Sequence, residues 1–256
     1  MSSFHQPPTN FISSVTLNVH DRKRIVDFYR WLGFRLLQET NQQTILGTDR
    51  PVLVLKHDQP YVLEQQNTQG LYHVAFLLPT REELGSVLRY LIQQKYPLQG
   101  LSDHGVSEAI YLTDPEGNGI ELYVDRPKDQ WPYQLQQLAM VTEPMKYQEV
   151  LSLARPYQRF SNQVVLGHLH LHVSNLAEAV AYYQSTLHYE VIQYYGESAV
   201  FLSSGSYHHH LGLNTWSGQH LPKKKLNTTG IVAFQVQALH AHSAVNPTGI
   251  SVFIKN

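Results

Sequence analysis

Residues 14–34 read SVTLNVHDRKRIVDFYRWLGF, a pattern that recurs along the chain. Its first six residues alternate polar and apolar side chains, which predicts a β-strand, and apolar residues at helical spacing then continue as far as Gly33. The same pattern begins again at three later positions, namely Tyr72, His168 and Gly230. An internal repeat of this kind fixes the architecture before any single motif is considered.

Short β-rich stretches follow the helix of the repeat, so each copy is predicted to be a βαβββ unit, numbered here one to four along the chain. The last copy has only residues 230–256 available and is predicted to be truncated. The predicted class is therefore α+β, with tandem βαβββ modules forming two half-open mixed β-barrels. Residues 1–126 hold the first pair of modules and residues 166–256 the second. Residues 127–165 form a structured linker, with a helix expected around residues 135–153.

Composition excludes several classes of function. The 256 residues are 42% hydrophobic, which suffices for a large core, and Lys+Arg 19 against Asp+Glu 20 leaves a formal charge of -1. No broad cationic surface is therefore expected for nucleic acid or a membrane. With no secretion signal and no long apolar run in the sequence, a cytoplasmic protein is predicted. The chain has 15 His and no Cys, so a bound metal must use imidazole and carboxylate ligands.

The strongest local motif is residues 104–121, HGVSEAIYLTDPEGNGIE. Its DPEGNG segment predicts a turn that places Tyr111 on one strand and Glu121 on the next. Because side chains alternate along a strand, Glu121 is expected to face a pocket between the sheet walls. The same alternation directs His73 of unit two toward the pocket, together with three histidines of unit three: His168, His170 and His172.

This motif resembles the extradiol ring-cleavage dioxygenase signature of the vicinal oxygen chelate superfamily, which also includes glyoxalases and bleomycin resistance proteins. The resemblance lies in a His, an apolar residue before Tyr111, an Asp-Pro pair and a Glu at the expected spacing, and Ser102 departs from it. It implies a protein similar to catechol 2,3-dioxygenases, with Fe(II) or Mn(II) held by the first-strand His of two units and a last-strand Glu. Those residues are His73, Glu121 and, from a partner unit, His168.

The partner unit is inferred from what each unit offers at the matching position. Unit one has Ser14 and unit four has Ile231, neither of which is a credible ligand, whereas unit three has His168. Units two and three are therefore expected to build the metal-holding barrel, and units one and four an empty one. Whether the partner unit belongs to the same chain or to a second copy in a homodimer stays open at this point.

Three further residues are expected to be catalytic by the same resemblance: His210, Tyr111 and His104. Alternation along a strand predicted over residues 208–215 turns His208 and His210 into the pocket and aligns His210 with Glu121, leaving His209 structural under the helix. His210 would then be the acid/base histidine near the dioxygen position, or a fourth metal ligand in an isomerase-like site. Tyr111 and His104 would hydrogen-bond the substrate or an intermediate.

The resulting hypothesis is a metal-dependent extradiol dioxygenase that acts on a small aromatic diol with O2, as in the breakdown of aromatic compounds. A facial triad leaves positions for both diol oxygens and for dioxygen. A glyoxalase-type isomerase is the first alternative, although such sites usually carry a second carboxylate as the fourth ligand. A binding protein like the bleomycin-sequestering members is the second alternative, and a dioxygenase that has lost its activity is the third.

Overall fold

In the first three units, the elements follow one another in the order strand, helix and three strands. The computed structural model describes residues 3–64, 67–238 and 242–256. Unit one contains β1 (Phe11–Asn18), α1 (Arg22–Leu32), β2 (Arg35–Glu39), β3 (Gln43–Gly47) and β4 (Pro51–Lys56). Unit two contains β5 (Gly70–Leu77), α2 (Arg81–Gln93), β6 (Gly100–Asp103), β7 (Ser107–Thr113) and β8 (Gly119–Asp125).

The linker and the second half of the chain follow. The linker contains β9 (Tyr133–Gln134), β10 (Gln137–Leu138), β11 (Glu143–Pro144) and α3 (Tyr147–Ser152). Unit three contains β12 (Val165–His172), α4 (Leu176–Leu187), β13 (Glu190–Tyr195), β14 (Ala199–Ser203) and β15 (Leu211–Asn214). Unit four contains β16 (Gly230–Gln237), β17 (His242–Val245) and β18 (Ser251–Lys255). Its origin as a truncated copy stays a prediction.

The longer helices begin and end where their sequence signals lie. Asp21, Thr80 and Asn175 each accept a hydrogen bond from the backbone N–H three residues further on, which caps α1, α2 and α4. Gly33 ends α1 with φ 131°, a conformation that side chains rarely adopt. A Cβ at Gly33 would also lie 2.8 Å from the backbone nitrogen of Phe160, so glycine is required there for close packing.

Two curled mixed sheets carry the fold, and each joins two units. Units one and four form a seven-stranded sheet in the order β17-β18-β16-β1-β4-β3-β2. Units two and three, with β11 at one edge, form a nine-stranded sheet in the order β11-β6-β7-β8-β5-β12-β15-β14-β13. The antiparallel pairs β5–β12 and β1–β16 make these joins. Unit two therefore lies beside unit three in one chain, which is the pairing that the ligand argument required.

The linker differs from the helix expected over residues 135–153. Leu135 and Gln136 adopt positive φ angles of 49° and 66° in a turn between β9 and β10, so a helix cannot pass through them. Only the short α3 is helical there. The rest of the linker packs against the nine-stranded sheet by burying Trp131, Leu138 and Met140. Among the described residues, no helix is both long and apolar enough to cross a membrane.

Candidate metal centre

A cavity of about 300 Å³ opens on the concave face of the nine-stranded sheet. Strands β5, β7, β8 and β12 form its floor, the segment before β15 closes one side, and residues 140–142 of the linker close another. Because the linker wraps over this sheet, Met140, Val141 and Thr142 line the cavity, a contribution that the sequence analysis did not predict. The cavity is therefore built by units two and three together with the linker.

Three potential metal ligands meet on the cavity floor because of the strand register. Ala75 on β5 pairs with Glu121 on β8 and with His168 on β12, which puts these three side chains in one row across the sheet. His73 lies two residues before Ala75 and so shares its face. Because the side chain of Ala75 is only a methyl group, the space above it can be occupied by the longer side chains of His73, Glu121 and His168. His73, Glu121 and His168 each offer one ligand atom, and these atoms all lie within 4.8 Å of one another.

The contacts within this cluster fit a shared cation. His73 Nε2 lies 3.0 Å and His168 Nε2 3.2 Å from the same oxygen, Glu121 Oε2. All three side chains are buried, and despite the short distance to Glu121 the orientation of His73 Nε2 makes no hydrogen bond to that carboxylate or to any other described residue. An unpartnered buried nitrogen is costly unless another group satisfies it, and a metal ion on the three atoms would do so.

The protonation states also suit metal binding. Burial alone would raise the pKa of Glu121, but His168 and His73 outweigh it and hold this pKa well below its usual range. Burial lowers the pKa of His168 to about 4. Near neutral pH the cluster therefore offers a carboxylate and a neutral imidazole, the forms that bind divalent metals.

Tyr111 and His104 meet at the cavity wall. Tyr111 is the cross-strand partner of Glu121. Its hydroxyl lies 2.7 Å from His104 Nε2, and His104 Nδ1 lies 2.8 Å from the carbonyl oxygen of Val141. Since that carbonyl only accepts, Nδ1 carries the proton and Nε2 accepts the Tyr111 O–H. Burial, with a contribution from nearby Glu121, raises the pKa of Tyr111 well above its ordinary value, so the phenol stays protonated.

The expected pocket position of His210 is wrong, and His209 lines the cavity instead. Residues 208–210 form a bend, and β15 begins only at Leu211, so strand alternation does not apply to them. The ring of His209 lies 4.1 Å from that of His168, whereas His210 is bound away from the cavity by Ser203 Oγ at 2.9 Å and the Phe4 carbonyl at 3.0 Å.

His208 also lies outside the cavity lining, behind His209. Its Nδ1 is 2.7 Å from His209 Nδ1 and its Nε2 is 2.8 Å from Asp125 Oδ1. The turn residues before the bend, Gly205 and Ser206, adopt positive φ angles of 67° and 59°. A Ser-Gly-Ser sequence is the one signal that could have warned that the strand does not start at residue 208.

One part of the cavity wall is largely aromatic. His170 lines it and packs 5.2 Å from the ring of Trp216 and 5.1 Å from that of Tyr72. Its Nε2 is buried without a hydrogen-bond partner among the described residues, and burial lowers its pKa well below the ordinary value. His172, also expected to face the pocket, is not among the lining residues, and its Nδ1 lies 2.7 Å from Asn214 Oδ1.

A curled mixed sheet that carries a His, Glu and His cluster across two βαβββ units defines a class, the vicinal oxygen chelate proteins. Residues 11–122 match the model of the Glyoxalase/Bleomycin resistance protein/Dioxygenase superfamily. The chain is 39% identical over 248 residues to a catechol-2,3-dioxygenase of Bacillus subtilis (strain 168), covering 94% of this chain and 86% of that protein. The chain belongs to this superfamily.

One further similarity covers only part of the chain, and another concerns the fold alone. A biphenyl-2,3-diol 1,2-dioxygenase 3 of Rhodococcus globerulus is 39% identical over 64 residues, which is 23% of this chain and 30% of that protein. The crystal structure of glyoxalase I from Zea mays matches with a TM-score of 0.59 at 12% identity, covering 96% of this chain and 92% of that one. This last similarity establishes the fold alone.

Proposed function

We propose that this protein is a metal-dependent extradiol dioxygenase that cleaves a catechol-type ring beside its hydroxyl groups, with O2 as the second substrate. The observation that carries the proposal is the convergence of His73, Glu121 and His168 within 4.8 Å on a cavity floor. Similarity to a catechol-2,3-dioxygenase over 94% of the chain supports the reaction class.

These three residues would hold Fe(II) or Mn(II). Two imidazoles and one carboxylate are the ligand set of mononuclear non-haem Fe(II) oxygenases, and the unpartnered His73 Nε2 fits such a group. When bound, the metal supplies the Lewis acidity and redox capacity that bring an aromatic diol and dioxygen into reaction.

The side chains around the cluster have distinct tasks. Because the Tyr111 proton points to His104, the lone pairs of the Tyr111 oxygen remain available to accept a hydrogen bond from a diol hydroxyl. His209 lies directly beside His168, and burial lowers its pKa well below the ordinary value, so the imidazole is neutral and keeps a nitrogen lone pair to which a substrate hydroxyl can donate. We assign to His209 the acid/base role that the sequence analysis gave to His210.

The cavity also restricts the substrate to a planar, largely apolar molecule. The aromatic side chains of Tyr72, His170 and Trp216 line the cavity together with the apolar linker residues Met140 and Val141. A flat aromatic ring loses little hydration free energy on entering a cavity with such walls, and once bound it excludes bulk solvent from the reacting oxygens. A glyoxalase-type site with a fourth protein ligand is not favoured, since the clustered ligands found among the described residues number three.

The decisive experiment compares metal content and turnover in matched variants. Wild type, His168→Ala and Ser14→Ala are purified without chelator, loaded anaerobically with Fe(II) or Mn(II), desalted and measured by elemental analysis. Ser14 is the control because it lies on β1, the counterpart of β5 in the other sheet, where the described residues form no His/Glu cluster. Wild type and Ser14→Ala should retain about one metal per chain, and His168→Ala should lose it.

Activity is then tested on a panel of catechols. Oxygen uptake and product mass with isotopically labelled O2 are recorded, because ring cleavage by a dioxygenase incorporates both oxygen atoms into the product. Turnover in wild type and Ser14→Ala but not in His168→Ala supports the proposal. Metal binding without oxygen uptake on any diol would contradict the reaction, and wild type that stays metal-free after loading would favour a binding protein.

A further inference from the structure

Behind His209, a chain of hydrogen-bonding groups runs from the cavity toward the protein surface. His209 Nδ1 lies 2.7 Å from His208 Nδ1, and His208 Nε2 lies 2.8 Å from Asp125 Oδ1. The His208 side chain is fully buried, whereas that of Asp125 is 18% exposed. These residues come from the bend before β15 and from the end of β8, so folding of two separate units is needed to align them.

Packing holds the middle of this chain in place. The ring centre of Tyr207 lies 4.0 Å from that of His208. The ring of Trp131 in the linker packs edge-on against His208, with ring centres 5.3 Å apart. The Tyr207 hydroxyl is also within 3.2 Å of both Asp125 oxygens, so it donates to that carboxylate. Asp125 therefore receives two hydrogen bonds, and its position is defined independently of His209.

The direction of each hydrogen bond in this chain follows from the Asp125 carboxylate, which cannot donate. A carboxylate only accepts, so His208 Nε2 must carry the proton that it shares with Asp125. With a single proton on each ring, His208 presents an unprotonated Nδ1, and the proton between the two histidines belongs to His209 Nδ1. This leaves His209 Nε2 without a proton. Nε2 is the ring nitrogen of His209 that His208 does not contact, and His209 lines the cavity.

We propose that Asp125 and His208 are positioning residues that fix the tautomer and ring orientation of His209, so that Nε2 accepts a proton from a diol hydroxyl. The proposal rests on the acid/base role assigned to His209 in the proposed function. In the step, the hydroxyl O–H bond breaks, an N–H bond forms at Nε2, and the electron pair stays on the substrate oxygen. The Nδ1 proton remains shared with His208, and the Asp125 carboxylate stabilises the resulting imidazolium.

Two substitutions of His208 test its contact with His209 and its contact with Asp125 separately. His208→Asn places an amide oxygen near the former Nδ1, so it can still accept from His209 but no longer reaches Asp125. His208→Gln places its amide near the former Nε2, so it can reach Asp125 but leaves His209 without an acceptor. Tyr207→Phe is the matched control, because it removes the other hydrogen bond to Asp125 and leaves the His208 contacts in place.

The direct readout is the tautomer of His209 by two-dimensional ¹⁵N–¹H NMR of imidazole nitrogens, in metal-free protein, with His209→Gln to assign the signals. We expect a protonated Nδ1 and an unprotonated Nε2 in wild type, Tyr207→Phe and His208→Asn. In His208→Gln we expect the mixed tautomers of an unrestrained imidazole. Kinetics of the metal-loaded proteins should show kcat lowered by about 10²-fold in His208→Gln, with KM nearly unchanged and His208→Asn less affected.

The outcomes distinguish this proposal from the proposed function. A protonated Nε2 in wild type, or a His209 tautomer unchanged in His208→Gln, would overturn the positioning role whatever the activity. The expected tautomers in a wild type that turns over no diol would support the positioning of His209 and refute the dioxygenase assignment. A Tyr207→Phe variant that loses the tautomer as fully as His208→Gln would show a general packing effect and would also overturn the proposal.

Discussion

Gly212 lies under the ring of His170, and adding a methyl group there tests the packing of the cavity wall. The two residues are register partners on the parallel strands β12 and β15. A Cβ at Gly212 would lie 2.9 Å from both Cγ and Cδ2 of His170 and 3.1 Å from Nδ1. Carbon atoms normally pack at about 3.5–4.0 Å, so the ring must move by roughly an ångström toward the cavity.

Two effects of Gly212→Ala oppose each other. Overpacking of a buried site costs about 1–3 kcal/mol, whereas replacing glycine with alanine stabilises by about 0.4–1 kcal/mol through the unfolded chain. We therefore expect a net loss of about 0.5–2 kcal/mol in the free energy of unfolding. In a His170→Ala background the overlap is gone, and the same Gly212→Ala change should become stabilising by about 0.4–1 kcal/mol.

The assay is urea unfolding of chelator-treated protein, followed by tryptophan fluorescence, for the two single variants and the double variant. Gly100→Ala is the control, because a Cβ there would lie 3.8 Å from Tyr111 Cδ2, an ordinary contact. Gly212→Ala that behaves like Gly100→Ala would refute the packing argument. So would a Gly212→Ala effect of the same sign with and without the His170 ring.

Three further predictions follow from the structure. Tyr111→Phe and His104→Gln should each lower kcat about tenfold or more, while the metal content measured by elemental analysis stays unchanged. The kcat of the double variant should be only slightly lower than that of either single variant, because the two side chains act as one hydrogen-bonded pair. Burial raises the pKa of Asp114 from 3.8 to about 6, so the folded state binds this proton more tightly than the unfolded chain does. As pH rises from about 4 to about 6, the free energy of unfolding of wild type should therefore fall by about 1–3 kcal/mol relative to that of Asp114→Asn. A difference between their urea midpoints that stays constant with pH would contradict this prediction. Phe76→Ala should cost about 3–5 kcal/mol in unfolding, since Phe76 is fully buried and packs 4.7 Å from Phe34, and a loss under about 1 kcal/mol would show that the core does not depend on this contact.

Regular strands made much of this site predictable. His73, Glu121 and His168 lie within the regular strands β5, β8 and β12. The β5–β12 pair has irregularities in register, but the side chain of His168 still lies on the cavity floor. Alternation then assigns each residue to a face, and the ligand argument needed only the choice of partner unit. The fold was predictable for the same reason, since strand and helix periodicity are local properties of the sequence.

Irregular backbone accounts for the errors. In the bend of residues 208–210, a displacement by one position exchanges the buried and cavity-facing side chains, so His209 took the place expected for His210. In the linker, positive φ angles at Leu135 and Gln136 turn the chain back where apolar spacing suggested a helix. Neither residue is glycine, so no local signal marked that turn.

The seven-stranded sheet shows why the same backbone arrangement carries chemistry in one sheet and not in the other. If Ser14 on β1 is taken as the counterpart of His73, Thr16 corresponds to Ala75, and it pairs with Val54 on β4 and Ala233 on β16. In this register the counterparts of the three ligands are Ser14, Val54 and Ala233. None of these side chains binds Fe(II) or Mn(II) well. Pairing between distant units is therefore a property of the fold, whereas a metal site also needs donors on all three strands. The β5–β12 pair supplies two of them from segments that the linker separates, so neither half of the chain holds the complete set.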